Sequence, residues 1–346
     1  MENIPMGVLA AAAGLIGGLV LGLAARLGNF CTLGALETAA YGHDYRRLRL
    51  WGIVLGVAIL GTQTGVLLGY IDIASSVYHA MAWNPLASIF GGLMFGYGMA
   101  LAGNCGFGAL ARFGGGDMRA LVIVVVMGIV GFVALSGPLA PLRSAVFPQI
   151  AATGPQGVLH SLSWIGIPAP VAVAALGFGA LAWGLSYAPL RGHPSMVAWG
   201  VAAGAAVVWC FAATSYLADD SLGIVPVEGP TFTAPVGRTL IFLMTSTAGG
   251  INFSVGSVIG VMLGALIGST FLGMFRWEAC EDPRELGRQV GGGALMGLGG
   301  VIAMGCSVGQ GLSGIAALAW SGPVTLIAIV GGALFGLRNL IGGTYD

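Results

Sequence analysis

The chain alternates between long apolar stretches and short polar interruptions at a spacing set by a lipid bilayer. Residues 6–25, 50–71, 85–111, 120–142, 144–190, 192–218, 239–275 and 289–337 contain no Asp, Glu, Lys or Arg. A helical crossing needs about 20 such residues, so several crossings are required. Full helices are predicted near 6–26, 49–70, 85–102, 119–137, 168–188, 195–217, 255–275, 288–304 and 322–338. The fold class expected is therefore an all-α integral membrane protein of about nine transmembrane helices. The first stretch has no basic residue before it and is followed by equally apolar segments, so it is read as a retained helix rather than a cleaved leader.

The apolar stretches hold more chain than these helices use. Residues 239–275 and 289–337 exceed one and two crossings, and the surplus is rich in Gly and small polar residues: Thr245, Ser246, Thr247, Gly249, Gly250, Asn252 and Ser254, then Gly305, Ser307, Gly309, Gln310, Gly311, Ser313 and Gly314. Such composition suits broken or re-entrant segments, which are tolerated at membrane depth only inside protein or around an aqueous cavity.

A repeat connects these segments. The stretch from Gly18 and Gly22 to Gly28-Asn29-Phe30-Cys31-Thr32-Leu33-Gly34-Ala35-Leu36 aligns without gaps on that from Gly92 and Gly96 to Gly103-Asn104-Cys105-Gly106-Phe107-Gly108-Ala109-Leu110. A third copy from Gly293, Gly297 and Gly299 to Gly305-Cys306-Ser307-Val308-Gly309 matches the second at a fixed offset. With 62 glycines in 346 residues single matches are cheap, but a shared cysteine within them is not. A fourth unit is expected around 245–256, with the small residues and without the cysteine. Two halves, 1–140 and 168–346 of one membrane domain, are read as the inverted pseudo-two-fold repeat of secondary transporters, whose discontinuous helices meet near the midplane.

Composition and charge narrow the function. Hydrophobic residues make up 57% and charged ones 8%, mean hydropathy is +0.92, and net charge is zero. There is no basic field for nucleic acid. Arginines gather at 46, 47 and 49, at 112 and 119, at 191, and at 276, 284 and 288; these loops are assigned to the cytoplasm, which leaves the N-terminus outside. The phosphate-loop pattern of nucleotide-driven pumps is missing, no cysteine or histidine spacing suits zinc, and no cofactor is expected. Of the five cysteines all but Cys280 lie in or beside apolar stretches, so they do not read as a disulfide framework.

The chemistry centres on the repeated cysteines. Each follows a Gly-x-x-x-Gly helix and precedes a short small-residue helix, so the thiol sits at a helix break where free N–H groups and a positive dipole end suit an anion. Cys31, Cys105 and Cys306, with Asn29, Asn104, Gly106, Gly108, Gly305, Gly309 and Gln310 beside them, are the candidate pathway. Arg26, close before Cys31, either balances Glu37 or draws an anion in. Cys210, inside an ordinary helix, reads as packing.

The motifs Asn29-Phe30-Cys31, Gly103-Asn104-Cys105-Gly106-Phe107-Gly108 and Gly305-Cys306-Ser307-Val308-Gly309-Gln310-Gly311 resemble the YeeE/YedE family of sulfur transporters over nearly the whole chain. The resemblance implies a pseudo-symmetric hourglass in a bacterial inner membrane that takes up thiosulfate by transient S–H···S contacts with three cysteines, here Cys31, Cys105 and Cys306. It also implies a small cytoplasmic sulfur-transfer partner of the TusA type; no such domain follows Arg338, so a separate protein is expected. The alternatives are a selenium-compound transporter of the same family and a membrane thiol enzyme forming persulfides. Transport is preferred to enzymatic activity, because thiols are soft, weak donors and conduction needs weak binding spread over several sites.

Overall fold

The computed structural model describes residues 5–154, 156–247, 250–279 and 282–342. Cys280 and Gly249 lie outside them. The first half runs α1 (Met6–Leu27), α2 (Thr32–Ala40), α3 (Arg46–Leu67), α4 (Val77–Ala80), α5 (Pro85–Ala102), α6 (Gly106–Gly114), α7 (Met118–Leu135) and α8 (Ala140–Val146). The remainder runs α9 (Val158–Trp164), α10 (Ala169–Leu185), α11 (Ala188–Arg191), α12 (Pro194–Asp220), α13 (Ala234–Thr245), α14 (Phe253–Phe271) and α15 (Pro283–Ile302), then a π-helical turn (Gly309–Gly314) and α16 (Ser321–Gly342). No strand forms among the described residues, which contain only isolated bridges, Met81 to Ala151 and Asp117 to Glu278.

A long helix occupies each of the nine positions predicted for one. Among the described residues seven spans are long and apolar enough to cross a bilayer, two of them joining a long helix to the short one after it, Met6–Ala40 and Pro85–Gly114. The protein is a multi-pass membrane protein. α10 falls short with 17 residues, and α15 begins with the charged Arg284, Glu285 and Arg288.

The long helices form two groups. In one, α1 lies against α12 and α14, and α12 against α3, with α10 outside; in the other, α5 lies against α15 and α16, and α15 against α7. Each group takes helices from both ends of the chain. Glycine sets the closeness of the pairs. A methyl group on Gly14, Gly18 or Gly22 of α1 would strike the α14 backbone between Phe253 and Ala265, and one on Gly256, Gly260 or Gly264 of α14 would strike α1 between Ala11 and Leu19. Small residues on both faces permit such backbone contact, which supplies dispersion where lipid offers no hydrophobic drive. Cys210 packs on the other side of α1, between it and α12, its sulfur over Gly17, fully buried and in a separate core cluster from Cys105 and Cys306.

Short elements cross between the groups: α6 reaches α14 and α1, α13 reaches α7, α2 touches α16, and the π-helical turn touches α3. The arginine-bearing loops gather on one face. Arg119 pairs with Asp117 and Glu278, Arg46 with Asp44 and His193, and Arg49 donates to the Trp183 carbonyl while stacking on its ring at 4.6 Å. The Arg46 guanidinium beside Asp44 holds that carboxyl below its ordinary range. The opposite face carries the start of α1, α4, α8 and α9, where His79 bridges the Gln156 and Ala317 carbonyls.

The chain does break within 245–256, between α13 and α14, with Ala248 and Gly249 outside the described residues, but a second break bears on the cysteines. α13 ends at Thr245, its neighbours Leu243 and Met244 are exposed, and α14 starts at Phe253. The interruption that feeds α13 lies earlier, between the end of α12 and Thr233, where Pro230 and Pro235 keep the chain from continuing as one helix.

Candidate functional site

Each cysteine break begins the same way. The residue two places before the thiol takes a left-handed backbone: Asn29 at φ 54°, Gly103 at 73° and Met304 at 57°. That conformation ends a helix while freeing the next residues to turn inward. Cys31 and Cys105 then occupy the extended N-cap positions of α2 and α6, places normally held by Ser, Thr or Asp, whereas the π-helical turn is capped by Val308, two residues after Cys306. The Cys105 sulfur accepts from the Gly108 N–H at 3.3 Å, and the Cys306 sulfur from the Gly309 N–H at 3.3 Å. The Cys31 sulfur caps its helix without such a bond. Left-handed Asn29 and Met304, neither of them glycine, mark breaks imposed by the surrounding structure rather than by local freedom.

The fourth break carries no cysteine, yet it joins the others. The Phe232 N–H donates to the Cys306 sulfur at 3.3 Å, and the Thr231 hydroxyl lies 3.8 Å from it. Cys31 and Cys105 interact side chain to side chain. A methyl on Gly108 would sit 3.5 Å from both sulfurs, so the thiols flank one small gap. The Thr32 hydroxyl donates to that of Ser307 at 3.1 Å, which ties the first break to the last, and Ser307 also reaches Cys105. Phe30, Phe107 and Phe232, one from each of three breaks, form an aromatic string with centroids 6.1 and 5.3 Å apart, and Trp51 continues it at 5.0 Å from Phe30.

A cavity of about 390 Å³ opens on the face opposite the arginine loops, lined by Tyr78, Glu228, Thr231, Thr233, Arg238 and Gly305. Its floor is Thr231, beside Cys306. Arg238 on its wall is held 3.2 Å from Glu228. Cys105 and Cys306 are fully buried, whereas Cys31 is half-buried and follows the exposed Asn29 on the arginine-bearing side. The thiols thus lie in the order Cys306, Cys105, Cys31 from the cavity toward the other face.

The remaining candidates hold this frame. Gly106 opens α6 beneath the Met127 sulfur, and buried Asn104 has an unpartnered Oδ1. Gln310 donates through Nε2 to the Ala303 and Met304 carbonyls, satisfying the end of α15. Arg26 donates to the Arg112 carbonyl at 3.2 Å, at the end of α6. Arg47, read from sequence as a loop anchor, reaches Asn29 Oδ1 at 3.4 Å beside the Cys31 break. Among the described residues no group of three or more His, Cys, Asp or Glu could hold a metal.

This arrangement has a counterpart in known proteins, because the family described as sulphur transport matches residues 27–335. The chain belongs to that family. It is the YeeE/YedE family that the cysteine motifs resemble, and its match spans all four breaks. Two curated relatives carry the name thiosulfate transporter TsuA. The one from Escherichia coli (strain K12) is 26% identical over 333 residues, 92% of this chain and 91% of its own length. The one from Spirochaeta thermophila is 27% identical over 325 residues, 89% of this chain and 92% of its own.

Within a sulphur transport family member, the residues that sequence reasoning passed over are Thr231, Phe232, Ser307, Thr32 and Arg47. Ser307 and Thr32 each follow a candidate cysteine, and that adjacency was the available signal. Thr231 and Phe232 had none, since their break lacks the cysteine that aligned the others.

Proposed function

We propose that this protein carries thiosulfate, or a closely related sulfur anion, across a bacterial inner membrane by passing it along Cys306, Cys105 and Cys31. One arrangement supports the reading: Cys31 and Cys105 flank the gap at Gly108, while Cys306 lies beside Thr231, which lines the cavity on the other side. The relatives' names supply the substrate. Their match over about nine-tenths of both chains makes a shared substrate the simplest reading.

In this reading the anion leaves the cavity past Thr231 and meets Cys306 first. A thiol is a weak donor and a soft acceptor, so it offers a sulfur atom brief contact without the hold of a guanidinium. Release to the next thiol is then fast. The backbone N–H groups on the Cys105 and Cys306 sulfurs fix those sulfurs and leave their protons to point into the path. The cavity faces the periplasm and the arginine loops the cytoplasm, and each group of helices draws on both inverted repeat halves. The anion emerges by Cys31, Asn29 and Arg47, where a separate TusA-like carrier would receive the sulfur. No bond of the anion is broken, so the protein is a transporter and not an enzyme.

The test is uptake of radiolabelled thiosulfate into proteoliposomes containing only this protein. Saturable uptake that Cys306→Ala and Cys105→Ala abolish supports the proposal. Wild-type vesicles that remain empty of label, or that accumulate cleaved sulfur species instead, would refute it.

A further inference from the structure

The thiols alone leave the anion half served. A thiosulfate-like anion presents one soft sulfur and several hard oxygens, and oxygens stripped of water inside a membrane protein need donors or pay the full desolvation cost. The backbone donors at the centre are engaged: Gly108 N–H on Cys105, and Gly309 and Phe232 N–H on Cys306. Phe30, Phe107 and Phe232 offer none, and the Trp51 indole N–H lies one ring further along, beside Phe30. Besides the Thr231 hydroxyl and the Asn104 amide, the polar groups next to the thiols are the hydroxyls of Ser307 and Thr32, 0% and 5% exposed, bonded to one another at 3.1 Å.

Their placement is not that of ordinary core hydroxyls. A buried Ser or Thr usually closes a bond to its own helix backbone, as Thr38 does to Gly34 and Thr239 to Pro235 here. Ser307 and Thr32 instead bond across 275 residues of chain, each directly after a pathway cysteine. Hydroxyl protons rotate, so the pair can part and turn both donors onto an oxyanion arriving between them, then close behind it.

We propose that the Ser307 and Thr32 hydroxyls form an oxygen-binding station, taking the sulfonate-like oxygens of the anion while its sulfur passes from Cys306 to Cys105. This rests on the transporter reading above. It gives the path two complementary linings, soft thiols for sulfur and hydroxyls for oxygen. It also makes Ser307 and Thr32 determinants of specificity, favouring anions that carry both atoms.

The alternative is that the pair is a clip holding the first and last breaks together. A double-mutant cycle separates the two, using thiosulfate uptake by proteoliposomes with Ser307→Ala, Thr32→Val and the double variant, with Thr32→Ser as a hydroxyl-retaining control. If each hydroxyl donates separately to the anion, each single variant lowers the maximal rate about tenfold, equivalent to about 1.4 kcal/mol. The double variant then falls about a hundredfold, while KM stays within about twofold because the cavity is untouched. Thr32→Ser keeps most of the rate. A clip has one bond to lose, so a double variant no slower than either single variant overturns the proposal, as do single variants at the wild-type rate. Absence of wild-type uptake would instead sink the transporter reading and this inference with it.

Discussion

Gly108 offers the cleanest perturbation of the gap between two thiols. Its backbone is not left-handed, and a methyl added there would lie 3.5 Å from Asn104 Cβ, Cys105 Sγ and Cys31 Sγ, which is ordinary van der Waals contact. Gly108→Ala should therefore fold, and in α6 it gains up to about 1 kcal/mol of helix propensity. The methyl nonetheless fills the point both sulfurs face. An anion passing there must displace it, an overpacking cost of roughly 1–3 kcal/mol, which at about 1.36 kcal/mol per decade slows the step roughly five- to 150-fold. Gly131→Ala is the matched control, because its methyl would lie in ordinary contact, 3.7 Å from the Gly297 carbonyl and Val301 Cγ2 and 3.8 Å from Thr233 Cγ2, with no thiol among its nearest neighbours. The assay is the initial rate of thiosulfate uptake per mole of reconstituted protein, beside thermal unfolding in detergent. Gly108→Ala transporting within twofold of Gly131→Ala, at equal stability, would refute a path between Cys31 and Cys105. Gly309→Ala is a poorer probe. Its methyl would collide with the Thr231 hydroxyl, so lost uptake there would mix blockage with a displaced break.

Serine at Cys306 or Cys105 keeps a hydroxyl donor and removes the soft sulfur, so both variants should lose most uptake, Cys31→Ala should be intermediate or severe, and Cys210→Ala should match wild type in the same vesicle assay. Tyr78→Phe removes the 2.8 Å bond from the phenol to the Gly309 carbonyl; it should cost about 0.5–1.5 kcal/mol of stability, read as an earlier unfolding transition in detergent. Gly18→Leu forces a branched side chain into the Ser257 and Val261 backbone of α14 and should abolish accumulation of folded protein, measured by size-exclusion chromatography after extraction. A reporter fused after Arg338 should read as cytoplasmic and one inserted in 218–234 as periplasmic, and the reverse pattern would exchange the faces without disturbing the order of the thiols.

The long helices were legible because lipid demands unbroken apolar length, and nothing else in a chain of this size produces eight such stretches. The cysteine breaks were legible because three copies shared a rare residue at one register. The fourth copy lacked that residue, so the small-residue run at 245–256 drew the assignment away from Thr231-Phe232-Thr233. Arg26 shows the limit of adjacency: it lies five residues before Cys31, yet its guanidinium turns to the Arg112 carbonyl. Arg47 shows the converse, since a charge at the edge of a basic loop carries no sign that it folds back onto Asn29. Ser307 and Thr32 were hidden by their ordinariness, small polar residues whose meaning comes from a partner 275 positions away.

The glycine seam between α1 and α14 bears on how the molecule can move. Interlocked backbones cannot slide by a fraction of a turn without collision, so α1 and α14 travel as one body. Motions of whole bundles are slow, in the microsecond to millisecond range, whereas side-chain rotations take picoseconds to nanoseconds. A path whose stations are thiols and hydroxyls at the tips of short segments needs only the fast class, while the seam stays shut. For the transport proposed above, such a scaffold implies that turnover depends on the encounter of the anion with the cavity rather than on rocking of the helix groups around it.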